Sequence, residues 1–152
     1  IATNLDLRQP FGKELRTSEV GKAASKVAAF SEVRHALLRK QRNFAEHPPN
    51  KKGAVLDGRD IGTAVFPEAE LKLFMSASPE IRAKRRFEEL KLNQDVSYEE
   101  VLKNILERDE KDSSRETNPL RKATDALVID NSHQSKEELL QYALKLVEKA
   151  LN

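Results

Sequence analysis

A short apolar run that breaks into a charged, glycine-containing loop most constrains how this chain can fold. Residues 55–67 read V-L-D-G-R-D-I-G-T-A-V-F-P. The apolar residues 54–56 predict a buried strand, and the D-G-R-D sequence of residues 57–60 follows it directly. Open α/β sheets bind ligands at the carboxyl ends of their strands, and glycine lets the backbone turn sharply there. The loop therefore favours a ligand site, although an ordinary polar strand-to-helix turn explains these residues about equally well.

The length and composition are those of one globular domain. The chain has 152 residues, of which 38% are hydrophobic and 34% are charged, and its formal net charge is only +2. It contains no cysteine, which excludes disulfides and thiolate metal sites. No apolar run reaches the roughly 18 residues that a membrane span requires. We therefore expect a cytoplasmic protein that does not bind membranes.

Helical periodicity and capping signals divide most of the chain into elements. A narrow face of small residues predicts a helix from Thr17 to about residue 28, and Ser31 begins a second helix that ends at Pro48-Pro49. Three further helices are predicted over residues 78–92, 97–116 and 135–150, and the last two begin with capping boxes. The periodicity of residues 1–16 is too brief to assign them to anything more specific than a loop or an edge strand.

The apolar runs between these helices predict strands. Residues 71–75 and 126–129 are short buried runs, like residues 54–56. Because strands alternate with helical segments, the expected fold is α/β, a parallel sheet with helices on both faces.

The helix predicted over residues 97–116 has a stripe that changes character. Val101 and Ile105 are followed on the same face by Arg108, Asp112 and Arg115. We interpret the first half as packing on the core and the second half as facing a cleft. A surface ladder of ion pairs is the alternative, and it is the commoner explanation for an isolated helix.

A second arginine cluster lies on the preceding helix. Arg82, Arg85 and Arg86 share a face, and arginines bind phosphate oxygens with bidentate geometry. With the arginines at positions 59, 108 and 115, six could converge on one cleft. The three histidines have no ligand spacing, so no direct metal ligands are predicted.

These motifs, taken together, resemble bacterial cytidylate kinases over nearly the whole chain from about Leu15. The resemblance is carried by G-R-D-I-G-T at residues 58–63, V-F-P at 65–67, R-A-x-R-R at 82–86, E-R-D at 107–109 with Asp112 and Arg115, and D-A-L at 125–127. It implies the P-loop nucleoside monophosphate kinase fold, which has a five-stranded parallel sheet, a monophosphate-binding insertion and a mobile lid.

The resemblance also implies how the chain is divided. Residues 1–49 correspond to the end of the monophosphate-binding insertion and connecting helices, and residues 50–77 to core strands and the central loop. Residues 78–96 correspond to the lid region, and residues 97–152 to core helices and the last strand.

The resemblance assigns roles to individual residues of a substrate site. Arg16 and Asp60 match positions that hydrogen-bond cytosine, and Arg59 matches a contact to the acceptor phosphate. Arg108 and Asp112 match the ribose-binding pair. Arg115 matches an arginine that reaches the sugar and the phosphate. The catalytic arginines of the lid, which stabilise charge on the transferring phosphoryl group, are matched by Arg82, Arg85 and Arg86.

The implied activity is transfer of the γ-phosphoryl group of ATP to CMP or dCMP, giving CDP or dCDP and ADP, with Mg²⁺ bridging the phosphates. The expected partners are small molecules only, and the expected state is a monomer. A kinase for UMP is an alternative, which the cytosine-directed pair Arg16 and Asp60 disfavours. A basic nucleic-acid-binding domain is a second alternative, which the scarcity of aromatic residues disfavours.

The sequence departs from the family pattern in one respect. A P-loop of the form G-x-x-x-x-G-K-[ST], which cradles the ATP phosphates, is absent from the five-glycine sequence. The expectation is that these residues are the C-terminal two-thirds of the enzyme, that no ATP-binding residues can be assigned, and that the 152 residues alone are inactive.

Overall fold

The computed structural model describes residues 17–49, 51–92 and 94–151. Within them lie five α-helices, two strands and one π-helical turn. In chain order these are α1 (Ser18–Val27), α2 (Ser31–Glu46), the π-helical turn Ile61–Val65, β1 (Leu73–Ser76), α3 (Pro79–Leu90), α4 (Tyr98–Ser114), β2 (Leu127–Asp130) and α5 (Lys136–Leu151). All five predicted helices from Thr17 onward are confirmed, to within two residues at most ends. The predictions for residues 1–16, which include Arg16, lie outside the described residues.

Hydroxyl groups cap four of the helices where the sequence predicted them. Thr17 accepts a hydrogen bond from the amide of Val20 at the start of α1, and Ser78 accepts one from Ile81 at the start of α3. Ser97 caps α4 through the amide of Glu100. At α5 the capping box is complete. The hydroxyl of Ser135 accepts a hydrogen bond from the amide of Glu138, and the carboxylate of Glu138 accepts one from the amide of Ser135.

The two strands form a parallel pair, as predicted. Leu73 lies opposite Leu127, and Ser76 lies opposite Asp130. The helices α3 and α4 lie in the connection between them, so the two elements that carry most of the predicted site residues follow the carboxyl end of β1.

The prediction of a strand over residues 54–56 is wrong for the structure described. These residues form no regular secondary structure, and Val55 is 94% exposed. An apolar run becomes a strand only when a neighbouring strand satisfies its backbone hydrogen bonds, and the described residues offer none beside it. The full sheet with helices on both faces stays a prediction, because the described residues contain one strand pair.

The best-packed contact is between α3 and α4. Ala83, Leu90 and Val101 are buried there, and Ala83 is completely inaccessible. Phe87 and Tyr98 add an edge-to-face ring contact with centroids 6.4 Å apart. The apolar first half of the α4 stripe therefore packs on a core, as predicted, and it fixes α4 against the arginine-bearing helix α3.

The central loop, residues 57–67, contains two glycines that are close to neighbouring side chains. Neither Gly58 nor Gly62 has a positive φ. A β-carbon at Gly58 would lie 2.9 Å from the side chain of Ile61, and one at Gly62 would lie 3.2 Å from that of Lys72. Larger residues at these positions would require the side chains of Ile61 and Lys72 to shift, and a left-handed backbone conformation is not the reason for the glycines.

In the part of the chain that the structure describes, no helix combines the length and apolar character that crossing a bilayer requires.

Candidate functional site

A buried aspartate on α4 is the centre of the site. Asp112 is 8% exposed, although it lies in the charged half of the α4 stripe. Its carboxylate forms ion pairs with three arginines. One is Arg59 of the central loop, and the others are Arg108 and Arg115, at 3.7 Å and 3.6 Å. A surface ladder would leave the acid in solvent, so the burial of Asp112 disfavours that alternative.

The turn after α4 holds Arg115 in place. Asn118 adopts the left-handed conformation, with φ of 50°, and its carbonyl accepts a hydrogen bond from Nε of Arg115 at 2.6 Å. The amide of Leu120 returns to the carbonyl of Asp112 at 2.7 Å. Burial lowers the pKa of Arg115, and the nearby charge of Arg34 lowers it further, whereas Asp60 and Asp112 oppose the shift. Arg115 is therefore a fixed, partly desolvated cation.

Asp60 is the second acid of the cluster. Its Oδ2 pairs with Nη2 of Arg34, and Nη2 of Arg115 lies 3.9 Å from the same oxygen. Arg115 thus lies between the two aspartates. The cluster contains four arginines and two aspartates, a formal surplus of two positive charges (Arg34, Arg59, Arg108, Arg115, Asp60 and Asp112).

Several polar atoms of this cluster are buried without a hydrogen-bond partner among the described residues. They are Nε of Arg34, Nε of Arg59, Oδ2 of Asp112 and Nη2 of Arg115. Arg59 and Asp112 touch as an ion pair through two of these atoms, but without the alignment of a hydrogen bond. Buried polar groups are normally satisfied, so the cluster holds charged groups whose hydrogen-bonding capacity is only partly used within the described residues.

A cavity of about 810 Å³ opens beside the cluster, between α1 on one side and α3 and α4 on the other. Its lining contains eight basic side chains, five of them arginines, and four acidic ones. The arginines that line it are Arg59, Arg82, Arg86, Arg108 and Arg115. Five of the six arginines that the sequence suggested could converge therefore line one cavity, and its size suits a small organic anion.

The three arginines of α3 have different environments. Arg82 binds Asp109 of α4 through both terminal nitrogens, at 3.1 and 2.6 Å, and its Nε donates to the carbonyl of Ala77. Arg86 pairs with Glu89 on its own helix at 3.0 Å. Arg85 instead donates to the side chain and the carbonyl of Asn131, which follows β2.

The structure brings most of the predicted site residues together. Arg59, Asp60, Arg108, Asp112 and Arg115 form one network, and Arg82 and Arg86 line its cavity. The side chain of Arg85 contacts Asn131 after β2 and does not line that cavity. Asp60 belongs to the network but is not one of the residues that line the cavity either. The roles of all these residues stay predictions.

Sequence reasoning missed two arginines of α2. Arg34 and Arg42 belong to a basic face that is usually solvated, but Arg34 is bound to Asp60. Nε of Arg42 donates to the carbonyl of Val65 at 2.8 Å, and its Nη2 donates to that of Ala64 at 3.0 Å. Arg42 thus caps the π-helical turn after Asp60. No local signal separates these two residues from Arg39 on the same helix, because their orientation depends on where the central loop lies.

No group of three or more histidine, cysteine, aspartate or glutamate side chains suited to hold a metal ion is found within residues 17–49, 51–92 and 94–151.

Comparison with known proteins shows which family this sequence matches. The family model described as cytidylate kinase matches residues 7–149. The chain is 53% identical to the cytidylate kinase of Flavobacterium psychrophilum over 136 residues, which cover 89% of the chain and 58% of that relative. It is 53% identical to the cytidylate kinase of Parabacteroides distasonis over 140 residues, covering 91% of the chain and 59% of that relative.

A third relative matches more of its own length. The chain is 50% identical to the cytidylate kinase of Azorhizobium caulinodans over 150 residues, 98% of the chain and 71% of that relative. The chain spans about three fifths of the length of the first two curated relatives.

Proposed function

Because the chain belongs to the cytidylate kinase family, we propose that its arginine-lined cavity binds CMP or dCMP as the acceptor of the γ-phosphoryl group of ATP. The observation that carries this proposal is the buried cluster around Asp112 and Asp60, with its surplus of two positive charges. A phosphate monoester carries nearly two negative charges at neutral pH. The acceptor nucleotide would therefore neutralise the cluster.

The phosphate end of the nucleotide is proposed to bind Arg59 and Arg115. Both side chains line the cavity. A phosphate oxygen in the cavity would accept charge-assisted hydrogen bonds from their guanidinium groups. Asp112 would keep both arginines shielded from solvent and in a fixed orientation.

The sugar and the base are proposed to bind at the two acids. Arg108, which is half exposed, and Asp112 would meet the ribose hydroxyls. Asp60 would accept a hydrogen bond from the exocyclic amine of cytosine. A carboxylate only accepts hydrogen bonds, so it matches the amine of cytosine and is mismatched with the corresponding carbonyl of uracil.

Arg82 and Arg86 are proposed to stabilise charge on the phosphoryl group as it moves between donor and acceptor. Phosphoryl transfer depends mostly on alignment and on preorganised positive charge. Both side chains line the cavity, and Asp109 fixes Arg82. Arg85 is included in this proposed group, although its present partner is Asn131.

The proposed donor is ATP with Mg²⁺ carried on its phosphates, where the ion would offset negative charge. The residues of this chain that would hold the donor are left unassigned. Nucleic-acid binding is disfavoured by a specific observation, since Arg34 and Arg42 of the basic face of α2 are bound within the protein.

Isothermal titration of CMP, UMP and a random oligonucleotide tests the binding half of the proposal. We expect CMP to bind more tightly than UMP, and Arg108→Gln to weaken CMP binding about tenfold. Lys103→Gln is the control, because Lys103 is an exposed residue of the same helix. Oligonucleotide binding that weakens with salt, with no response to CMP, would contradict the proposal.

The transfer half is tested by following CDP formation from ATP and CMP in the full-length gene product. Arg82→Gln should lower turnover more than it lowers CMP affinity, because the charge that it offsets develops during transfer. Equal losses of turnover and of CMP affinity would assign Arg82 to acceptor binding instead.

A further inference from the structure

Long cationic side chains from two other elements contact the π-helical turn Ile61–Val65 on different sides. One is Arg42 of α2, whose guanidinium donates to the carbonyls of Val65 at 2.8 Å and Ala64 at 3.0 Å. The other is Lys72, which directly precedes β1. Neither Arg42 nor Lys72 lines the cavity beside the Asp112 cluster, so both act on the turn from outside that cavity.

The contact of Lys72 with the turn is made by its methylene stem. The side chain of Lys72 is only 8% exposed, and its ammonium group pairs with Asp125 before β2. A β-carbon at Gly62 would lie 3.2 Å from Cδ and 3.4 Å from Cγ of Lys72. Lysine often buries its stem in this way while its charged end keeps a polar partner. The turn is therefore supported by a stem that β1 fixes at one end and Asp125 at the other.

The contact of Arg42 stabilises the π-helical form of the turn. π-Helical turns are rare, and they occur frequently at functional sites. Here the amide of Phe66 donates to the carbonyl of Ile61, five residues earlier, at 2.7 Å. The carbonyls of Ala64 and Val65 lie at the end of the turn, where no further helical turn supplies donors. Arg42 supplies both donors, as basic side chains do at helix C-termini.

Arg59 lies two residues before the turn and depends on it for its direction. Its ion pair among the described residues is with Asp112, and its Nε has no aligned hydrogen-bond partner there. The neighbouring Asp60 is held differently, because its side chain is bound to Arg34. The carbonyl of Asp60 accepts from the amide of Ala64 at 2.9 Å, so the turn fixes the backbone that carries Arg59.

We propose that Arg42 and the stem of Lys72 hold the π-helical turn and thereby position Arg59 for the phosphate of the acceptor nucleotide. This inference rests on the proposed function, because the phosphate contact of Arg59 is part of it. Arg42 and Lys72 are positioning residues and do not touch the substrate. Their effect reaches the nucleotide only through the backbone of the central loop.

This role predicts a loss of affinity that does not depend on the base. CMP and UMP carry the same phosphate, so Arg42→Gln should weaken both by the same factor, about fivefold, and leave their ratio unchanged. The loss is limited because Arg108 and Arg115 remain beside Asp112. Turnover at saturating CMP should change little, because the positioned contact is made to the bound acceptor as well as in the transition state.

The test is titration of Arg42→Gln with CMP and with UMP in the full-length gene product, alongside a thermal melt. Arg39→Gln is the matched control, an exposed arginine of the same helix. A role in stability alone would lower the melting temperature and leave both affinities of the folded protein unchanged, and that result would overturn the proposal. A changed ratio of CMP to UMP affinity would also overturn it, because the base contact would then be the one affected.

A double-mutant cycle with Arg59→Gln tests the connection between the two arginines. Once Arg59 is changed, Arg42→Gln should cause no further loss of CMP affinity. Additive losses would overturn the inference and leave the proposed function intact. An Arg59→Gln protein that binds CMP like the wild type would instead overturn the phosphate assignment in the proposed function, and the inference with it.

Hydrogen exchange at the amide of Phe66 reports on the turn without any ligand. Arg42→Gln should speed this exchange several-fold, whereas the amide of Ala83, in the core between α3 and α4, is the reference for global opening. Unchanged exchange at Phe66 would overturn the proposal, because the turn would then not depend on Arg42.

If Arg42→Gln does not fold, Arg42→Lys gives the answer. Lysine keeps the charge, but one ammonium group cannot bind two carbonyls with the forked geometry of a guanidinium. CMP and UMP affinity should then fall part of the way, and unchanged affinities would overturn the proposal.

The support from Lys72 is tested by two substitutions of different length. Lys72→Ala removes the stem and should weaken CMP and UMP several-fold, whereas Lys72→Met keeps an apolar chain beneath Gly62 and should lose less. Equal affinities for the Ala and Met variants would overturn the role given to the stem.

Discussion

Asp112 of α4 pairs with Arg59 of the central loop, although the π-helical turn, a strand and another helix separate them along the chain. This contact connects the loop, through α4, to the core that α4 shares with α3. Asp112 can be buried in the charged half of the α4 stripe because Arg59 and Arg115 neutralise its carboxylate. A buried aspartate with several arginine partners is costly to disturb, since each arginine depends on it.

We expect Asp112→Asn to weaken CMP binding more than tenfold. Asparagine keeps the shape but leaves Arg59, Arg108 and Arg115 without a shared counter-charge. The measurement is calorimetric titration, with Glu110→Gln as the control because Glu110 is an exposed acid of the same helix. Effects of Asp112→Asn and Arg108→Gln should be non-additive. If Asp112→Asn binds CMP like wild type, the cluster is a stabilising network that does not contact substrate.

Asp60→Ala should lose CMP affinity by about 1 to 3 kcal/mol, with a smaller loss for UMP. The reason is that the amine of cytosine is left without its acceptor in a largely buried site. Affinities measured for both nucleotides give the comparison. Unchanged CMP binding would remove Asp60 from the base site.

The ion pair between Arg82 and Asp109 should contribute at most about 1 kcal/mol to the free energy of unfolding, because both side chains are about one-third exposed. A double-mutant cycle of Arg82→Gln and Asp109→Asn in urea denaturation measures it. A coupling free energy well above 1 kcal/mol would contradict this expectation, because it would mean that the pair is shielded from solvent.

Ala83→Leu should lower the free energy of unfolding by roughly 1 to 3 kcal/mol. Ala83 is fully buried between α3 and α4, and the larger side chain would push the helices apart. Lys84→Leu is the control, because it adds a leucine one position away on the exposed side. Equal urea midpoints for the two variants would contradict the packing of α3 on α4.

The capping box of α5 predicts a pH effect. The backbone N–H and the hydroxyl of Ser135 lower the pKa of Glu138 by donating to its carboxylate. A lowered pKa means that the ionised cap stabilises α5 above the ordinary glutamate pKa, and that this contribution is lost as pH falls through the folded-state value.

An NMR titration of the Glu138 carboxyl group checks this. Ser135→Ala removes the hydroxyl and keeps the N–H, so the midpoint should rise part of the way toward an ordinary glutamate. Ser132→Ala, in the same turn, should leave it unchanged. A Glu138 midpoint at the ordinary value in the wild-type chain would show that the capping box does not form in solution.

The features that the sequence predicted correctly are those that local interactions determine. The hydroxyl caps at Thr17, Ser78 and Ser97 and the apolar residues Val101 and Ile105 act within one or two turns of helix, so their patterns are sufficient. The parallel pairing of β1 with β2 followed from the alternation of strands with helices.

Features that depend on distant neighbours could not be predicted in the same way. Residues 54–56 have the composition of a strand, but a strand also needs a partner. Arg34 and Arg39 have similar local sequence surroundings, yet only Arg34 faces Asp60, because the loop reaches that side of α2. The left-handed turn at Asn118, which fixes Arg115, was missed for the same reason.

A crystal structure of the chain with CMP bound tests the central claim most directly. We predict the nucleotide in the cavity between α1, α3 and α4, with its phosphate on Arg59 and Arg115 and its cytosine amine on the carboxylate of Asp60. A nucleotide bound elsewhere, with Asp60 and Asp112 still enclosed by their arginines, would contradict the assignment of this cluster as the acceptor site.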